Sequence, residues 1–405
     1  MIKRFASMAM ATVLLFGLGT AAYASPVPTM ETQTVGTKDY NDVYYTGSEF
    51  IAAGNGATIS TLGLGTMWNG QVYEASGLDF TTAKFGGGSY VAAANKGRLQ
   101  IGPAPNLLAA PRLIATVAMT VRDLAYSDGK WVAIGDLGLI STSSDQGGTW
   151  PRASSLSSDR LNSIAANGNQ WMAVGDNGAT VKSGDAQMWM LMTKQYPTAS
   201  FKKIAYMNGH WIAVGSMDGK GIIVSSKSMD QWEVAHIDDK TTGFTSIASM
   251  GSQVAVAGDN GRILITSDPA KWEDGANSAW NTGASNLVGI AGTNNTWVAV
   301  SNTGQVVYSP SQNINWGVHT ELASGGYKKL ATGRNIFVAV GTSGQITMID
   351  PLQNTDITLP PDKGIPSILL PGLNKGYPNI NIVVDKKAAS TDIHISGYNK
   401  APLIW

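Results

Sequence analysis

The chain has 405 residues, with 28 Lys and Arg balanced by 28 Asp and Glu, and no cysteine. That balance leaves no electrostatic footprint for nucleic acid or anionic lipid. The missing thiol excludes disulfides, thiolate metal sites, a cysteine nucleophile and a lipid-modified cysteine. Hydrophobic residues make up 43% of the chain and Gly fills 47 positions, a profile of a folded, turn-rich protein rather than a disordered one.

The first predicted element is an export signal. Lys3 and Arg4 precede an apolar run over residues 8–18, and Ala22-Tyr23-Ala24 before Ser25 forms a small-x-small cleavage site. The run is short for a membrane span and polar sequence follows it at once. Cleavage after Ala24 removes Lys3 and Arg4 and no acid, which leaves 381 residues with a net charge of −2. The mature protein is therefore expected in the periplasm of a bacterium or outside the cell, without a lipid anchor or a later transmembrane segment. Residues 25–39 read as a polar leader.

Residues 40–359 repeat. With Gly135 of Val132-Ala133-Ile134-Gly135 as a marker, the equivalents are Gly54, Ala94, Gly135, Gly175, Gly215, Gly258, Ser301 and Gly341. The steps between them are 40, 41, 40, 40, 43, 43 and 40 residues. Each unit opens with a run ending in an apolar residue and Ala, such as Leu124-Ala125 or Ile204-Ala205. A polar turn, an aromatic-led strand such as Trp131–Gly135, a turn ending in Gly and a third strand follow. β-Branched and aromatic residues fill the runs, while Gly, Asn and Asp fill turns that need positive φ. The near-continuous apolar runs suit strands buried on both faces. Three or four antiparallel strands per forty residues is the metre of a β-propeller blade. The expectation is an all-β propeller of eight blades, with seven blades and a flanking hairpin as the alternative.

After the third strand of the best-preserved unit comes Ser143-Ser144-Asp145-Gln146-Gly147-Gly148-Thr149-Trp150. This stretch resembles the Asp-box, S-x-D-x-G-x-x-W, of BNR-type and sialidase-like propellers. Partial copies hold Asp185 and Trp189, and Asp268 and Trp272. The whole repeat over residues 40–355 is similar in texture to propellers of the photosystem II assembly-factor type, with their W-V-A-V-G-x-x-G-x-I units. The resemblance implies a structural turn, in which Ser143 and Asp145 satisfy backbone N–H groups, Gly147 turns the chain and Trp150 packs into the blade.

The same superfamily holds glycosidases, lectin-like binders and assembly factors, so activity has to be read from the site. The arginine motif that a sialidase carries near its mature N-terminus is missing, and the first arginine after cleavage is Arg98. Asp136, Asp176, Asp218 and Asp259 precede or lie in Gly-ended turns, where hairpin chemistry accounts for them. His210, His236, His319 and His394 show no two-ligand spacing, so no metal is expected. The alternation Met188, Met190, Met192 reads as the packed face of a strand. Lys202-Lys203 and Lys328-Lys329 recur at one register and read as solvated strand edges.

Binding is expected in the inter-blade segments, which vary most. Their candidates are Arg152, Arg160, Tyr196, His236, Trp280, His319 and Tyr327. No catalytic residue and no cofactor is assigned. The reading is a monomeric, non-catalytic scaffold for an envelope or extracellular protein partner, with a carbohydrate-active propeller, lectin-like or glycosidase, as the alternative. Residues 360–405 leave the repeat. Five prolines punctuate residues 360–378, and two strand-like runs at 380–384 and 391–396 follow; this tail is expected to wrap the propeller, close a blade or form an appendage.

Overall fold

The computed structural model describes residues 28–63, 68–72, 77–105, 108–109, 111–115, 119–151, 156–275, 279–309, 316–320, 326–351, 381–387 and 390–396. The export signal, its cleavage site and Arg152 lie outside these residues. The chain divides into two units, Met1–Gln353 and Asn354–Trp405.

The first unit is an eight-bladed β-propeller. Blade 3 shows the plan. Its inner strand Val121–Ser127 pairs with Lys130–Gly135, which pairs with Ile140–Ser143, all antiparallel. Blades 1, 2 and 4–7 add a fourth, outer strand. Blade 3 has three among the described residues, and there the chain beyond the box runs back beside the third strand, where Ser141 Oγ donates to Pro151 O at 3.2 Å.

Blade 8 closes the ring. Its strands Tyr327–Gly333, Ile336–Gly341 and Gln345–Asp350 are completed by Thr29–Thr34, which pairs with Gln345–Asp350. The polar leader thus supplies the closing strand, and an edge that would expose a row of unpaired backbone groups is covered by the chain's own start. The C-terminal unit holds a hairpin of Asn381–Lys387 and Ser390–Ser396.

The core lies between blades. Eight clusters of buried side chains each join two neighbouring blades. One joins blade 8 to blade 1 through Val338, Val340 and Ile346 against Tyr40, Phe50 and Ala52. The second strand of each blade is buried on both faces, and its Ala residues (Ala133, Ala173, Ala213) let adjacent sheets approach. Trp131, Trp171 and Trp211 are fully buried, and Tyr126 and Tyr206 pack on the first and last of these at 5.0 Å between ring centroids.

The repeat marker has a steric cause. Where Gly175 ends its strand, a Cβ would strike the carbonyl of Arg160, just before the inner strand of the same blade, whose Leu161 pairs with Gly175. Gly54, Gly135, Gly215, Gly258 and Gly341 meet the equivalent carbonyl. The tight turn that follows in blade 3 is closed by Leu139 N–H on Asp136 O, with Leu137 at φ 53° and Gly138 at φ 63°. Two successive positive φ values are the hairpin geometry that favours Asn or Asp followed by Gly. No helix among the described residues is long and apolar enough to cross a membrane.

Candidate functional site

The box turns come first, because the sequence singles them out. Asp145 Oδ1 accepts from Ser143 Oγ at 2.7 Å and from Thr149 N–H at 2.8 Å, and Trp150 Nε1 donates back to Gly147 O at 3.0 Å. Asp185 accepts from the N–H groups of Gln187 and Met188, both at 2.8 Å, and Trp189 Nε1 donates to Ala186 O. Asp268 accepts from Ala270 N–H at 3.1 Å, and Trp272 Nε1 donates to Pro269 O. The Thr149 N–H and the Ser143 hydroxyl hold the Asp145 carboxyl at about 2. These carboxylates are consumed by their own turns. The turns lie at the end of the blade opposite the Gly-ended turns, since Ser143 pairs with Trp131 and Ile140 with Ile134.

The other end carries the polar chemistry. In each inner strand the residue that follows the one paired with the marker rings the channel mouth there, and most of these residues hook the next blade. Asn41 Nδ2 donates to Phe80 O at 2.8 Å, Thr81 Oγ1 to Val121 O at 2.6 Å, Asn162 Nδ2 to Phe201 O at 2.9 Å, and Thr245 Oγ1 to Leu287 O at 2.5 Å. Lys328 Nζ closes the circle onto Asp39 at 2.8 Å and Asn41 at 3.0 Å. Asn41, Thr81, Arg122, Asn162 and Lys202 line a cavity of about 460 Å³.

Around that cavity the acids are held ionised. Arg122 Nε lies 2.6 Å and Arg160 Nε 3.2 Å from Asp136 Oδ1, and Arg160 also reaches Asp176 at 3.5 Å. Burial pushes both carboxyls up. The Arg122 contact at Asp136, and the Ser200 and Asn162 hydrogen bonds at Asp176, outweigh it and hold both below the ordinary carboxylate value.

Deeper in the channel sits a charged ring. Counted from the residue that pairs with the marker (Val121 with Gly135, Phe201 with Gly215), the third residue of each inner strand reads Asp42, Thr82, Asp123, Ser163, Lys203, Ser246, Gly289 and Lys329 around the blades. Asp42 Oδ2 accepts from Thr82 Oγ1 at 2.5 Å and pairs with Lys84 at 2.9 Å. Asp123 Oδ2 accepts from Ser163 Oγ at 2.9 Å and pairs with Lys203 at 3.5 Å. Lys203 belongs to blade 5 and Asp123 to blade 3, so this pair bypasses blade 4 through the centre of the ring. Burial raises both aspartates, and the surrounding lysines bring them below the ordinary value. Lys329 is different. Lys203 repels it and burial disfavours its charge, which brings its ammonium down to about 7.

The sequence candidates are scattered rather than gathered. Arg160 is at the mouth, bridging Asp136 and Asp176. Tyr196 is half-buried with its hydroxyl 3.4 Å from Trp232 O, and burial raises its phenol. His236 lies in the outer strand Glu233–Asp238, 3.5 Å from Asp238, which Arg262 also contacts at 2.7 Å. Trp280 is in the outer strand Ala279–Asn281, half-buried with its ring 6.0 Å from that of Trp316. His319 lies in the outer strand Gly317–Thr320, paired with Val306. Tyr327 is a core residue that donates to Thr347 Oγ1 at 3.1 Å.

Two expectations fail. Lys203 and Lys329 are not solvated edges but channel residues, because the innermost strand of a closed ring turns one face to the axis. The methionine stripe is packed only at Met192, which is buried in the seam with blade 5; Met188 is 76% and Met190 56% exposed, since the strand Met190–Leu191 is the outer edge of its blade. Sequence reasoning missed the channel ring, although its signal was present. Asp42, Asp123, Lys203 and Lys329 share one register, immediately before the apolar residue of each inner strand. Among the described residues no group of three or more His, Asp or Glu is placed to hold a metal ion.

No protein-family model and no curated protein sequence matches the chain. Solved structures do. YCF48 bound to a D1 peptide is 12% identical with a TM-score of 0.53, covering 82% of this chain and 99% of that one. BamB from Moraxella catarrhalis is 12% identical with a TM-score of 0.57, covering 79% and 98%. The inactive H270A virginiamycin B lyase from Staphylococcus aureus, with quinupristin, is 9% identical with a TM-score of 0.55, covering 80% and 99%. At these identities the likeness is one of fold.

Proposed function

We propose that the chain is an exported, non-catalytic propeller of the Asp-box kind that acts as a binding or assembly scaffold, in the cell envelope or outside the cell. A protein partner engages its channel-mouth face. The observation that carries this reading is the state of the acids at the mouth. The five residues that line the cavity include no carboxylate. The nearby Asp136 and Asp176 are held below the ordinary value by their partners. A glycosidase needs a carboxyl raised in pKa as its acid, and these two are tuned the other way. What the face does offer is cationic and amide groups, Arg122, Lys202, Asn41 and Asn162, around a concavity of the size that receives a side chain or loop. YCF48, similar in fold, has been solved with a peptide bound.

The test is affinity capture of the tagged mature protein from envelope extracts, beside a Lys202→Glu variant. The expected result is a discrete protein recovered by the wild type and lost with the variant. Glycan-array binding with no protein recovered would contradict it. The carbohydrate reading keeps one observation of its own, the half-buried indoles of Trp280 and Trp316 set against each other. Glycan binding abolished by Trp280→Ala would establish that alternative.

A further inference from the structure

The charges of the channel do not balance. Lys84, Lys203 and Lys329 face Asp42 and Asp123, one cation in excess. Both carboxylates are fully engaged: Asp42 by Thr82 and Lys84, Asp123 by Ser163, the Ile164 and Leu124 N–H groups, and Lys203. Among the described residues the Lys329 ammonium has no ion-pair partner within 4.0 Å and no hydrogen bond. Its attraction to Asp42 and Asp123 is outweighed by the repulsion of Lys203 and Lys84 together with burial, a costly arrangement unless something neutralises it.

We propose that the channel is a binding site for a small oxyanion, the size of sulfate, phosphate or a carboxylate, held by Lys329 with Lys203 as its second cationic contact. At the mouth lies the 460 Å³ cavity, whose wall includes Arg122 and Lys202, each next in the chain to a channel residue, Asp123 and Lys203. Successive cationic side chains along one passage draw an anion inward. Charge-assisted hydrogen bonds from ammonium groups then hold it. The carboxylates beside the site do not block it, because each is already spent on its own lysine and hydroxyl.

Titration gives the site a signature. Lys329 loses its proton near pH 7 in the empty channel, under the repulsion of Lys203. The groups that face it are Lys84 on blade 2, Lys203 on blade 5, and Asp42 and Asp123 on blades 1 and 3. Blades 4, 6 and 7 carry Ser163, Ser246 and Gly289 at this register, none of which titrates there. A bound anion raises the Lys329 value, so binding above pH 7 takes up a proton.

The experiment is calorimetric titration of the full mature chain with sodium sulfate, whose charge is constant from pH 6 to pH 9, at an ionic strength fixed with sodium chloride. The expected result is one saturable site at pH 6, at least tenfold weaker at pH 8.5. At pH 7.5 the heat should depend on the buffer, which reports the proton taken up. Lys329→Met should abolish the site while melting at or above the wild-type temperature, and Lys329→Arg should bind with the pH dependence lost. Parallel titrations with phosphate and acetate separate the sources, a free inorganic anion being favoured if phosphate binds tighter and a carboxylate if acetate matches sulfate. No saturable heat at pH 6 in the wild type, or equal binding in Lys329→Met, would overturn the proposal. The titration uses no protein partner, so its failure leaves the proposed scaffold role to its own test.

Discussion

The seams between blades and the channel they enclose are built from the same inner strands, one residue apart, and they obey opposite rules. Counted from the residue that pairs with the marker, the fourth residue of each inner strand is apolar all round the ring (Val43, Ala83, Leu124, Ile164, Ile204, Ile247, Ile290, Leu330), and it packs into a seam or beside one. The third residue changes from acid to hydroxyl to base. Packing against an identical neighbour forces repetition. The channel is shared by eight blades at once, so each is free to contribute something different. Where the blades agree the chain is securing its fold, and where they disagree it has room for binding.

The comparison is sharpened first at the seams. Trp171→Ala empties a fully buried site between blades and should cost about 3–5 kcal/mol, read as a lower urea midpoint. A loss below about 1 kcal/mol would show that the seams are looser than their burial implies. Next comes Gly175→Ala, whose new methyl meets the Arg160 carbonyl. Overpacking of this kind costs about 1–3 kcal/mol. Blade 2 carries Ala94 at the same marker position, so the complementary Ala94→Gly should change the midpoint little.

Charge in the seams behaves differently from charge in the channel. Asp238 is buried against Arg262 and His236. Burial raises its carboxyl, but their hydrogen bonds hold it at about 2. Its folded value lies below the ordinary one, so its contribution is present above about pH 4 and is lost as pH falls toward 2. That amounts to roughly 2 kcal/mol, and acid unfolding monitored by tryptophan fluorescence should lose part of its steepness in Asp238→Asn. Lys329 has the opposite sign. Its folded value, about 7, lies below the ordinary value of 10.5. The folded state therefore bears the full cost of its charge below pH 7, and the cost shrinks as pH rises toward 10.5. Without added anion, Lys329→Met should stabilise the protein by about 1 kcal/mol at pH 6, after allowance for water in the channel, and by less at pH 9.5. A variant less stable than the wild type at pH 6 would mean that Lys329 has a partner after all.

The eight blades were legible because a small residue recurs where the second strand of each blade ends, glycine in six of them because a Cβ would strike the carbonyl that precedes the inner strand, and because paired positive-φ turns demand their own residue types. The closing strand was not. Thr29–Thr34 is Thr-Met-Glu-Thr-Gln-Thr, an outer strand with polar residues on its open side, and it pairs with a strand more than three hundred residues later. Local composition cannot announce such a partner. The channel was half legible. The double lysines of FKKIA and YKKLA stood out, yet only ring closure places Lys203 beside Asp123 or Lys329 under the influence of Lys203. Conversely, Trp280 and Tyr327 attracted attention by residue type, and the structure puts the first in an outer strand and the second in the core.

Apart from the mouth, a second surface is apolar: Met188 is exposed, and the outer strands of blades 4 and 5 expose Met190, Leu191, Val234 and Ile237. Site-specific photocrosslinking decides between the two. A photoreactive residue placed at Lys202 on the mouth, or at Val234 on the outer strand, is irradiated in envelope extract. A discrete protein adduct is expected from position 202 and none from position 234. An adduct from position 234 alone would contradict the proposed role of the mouth.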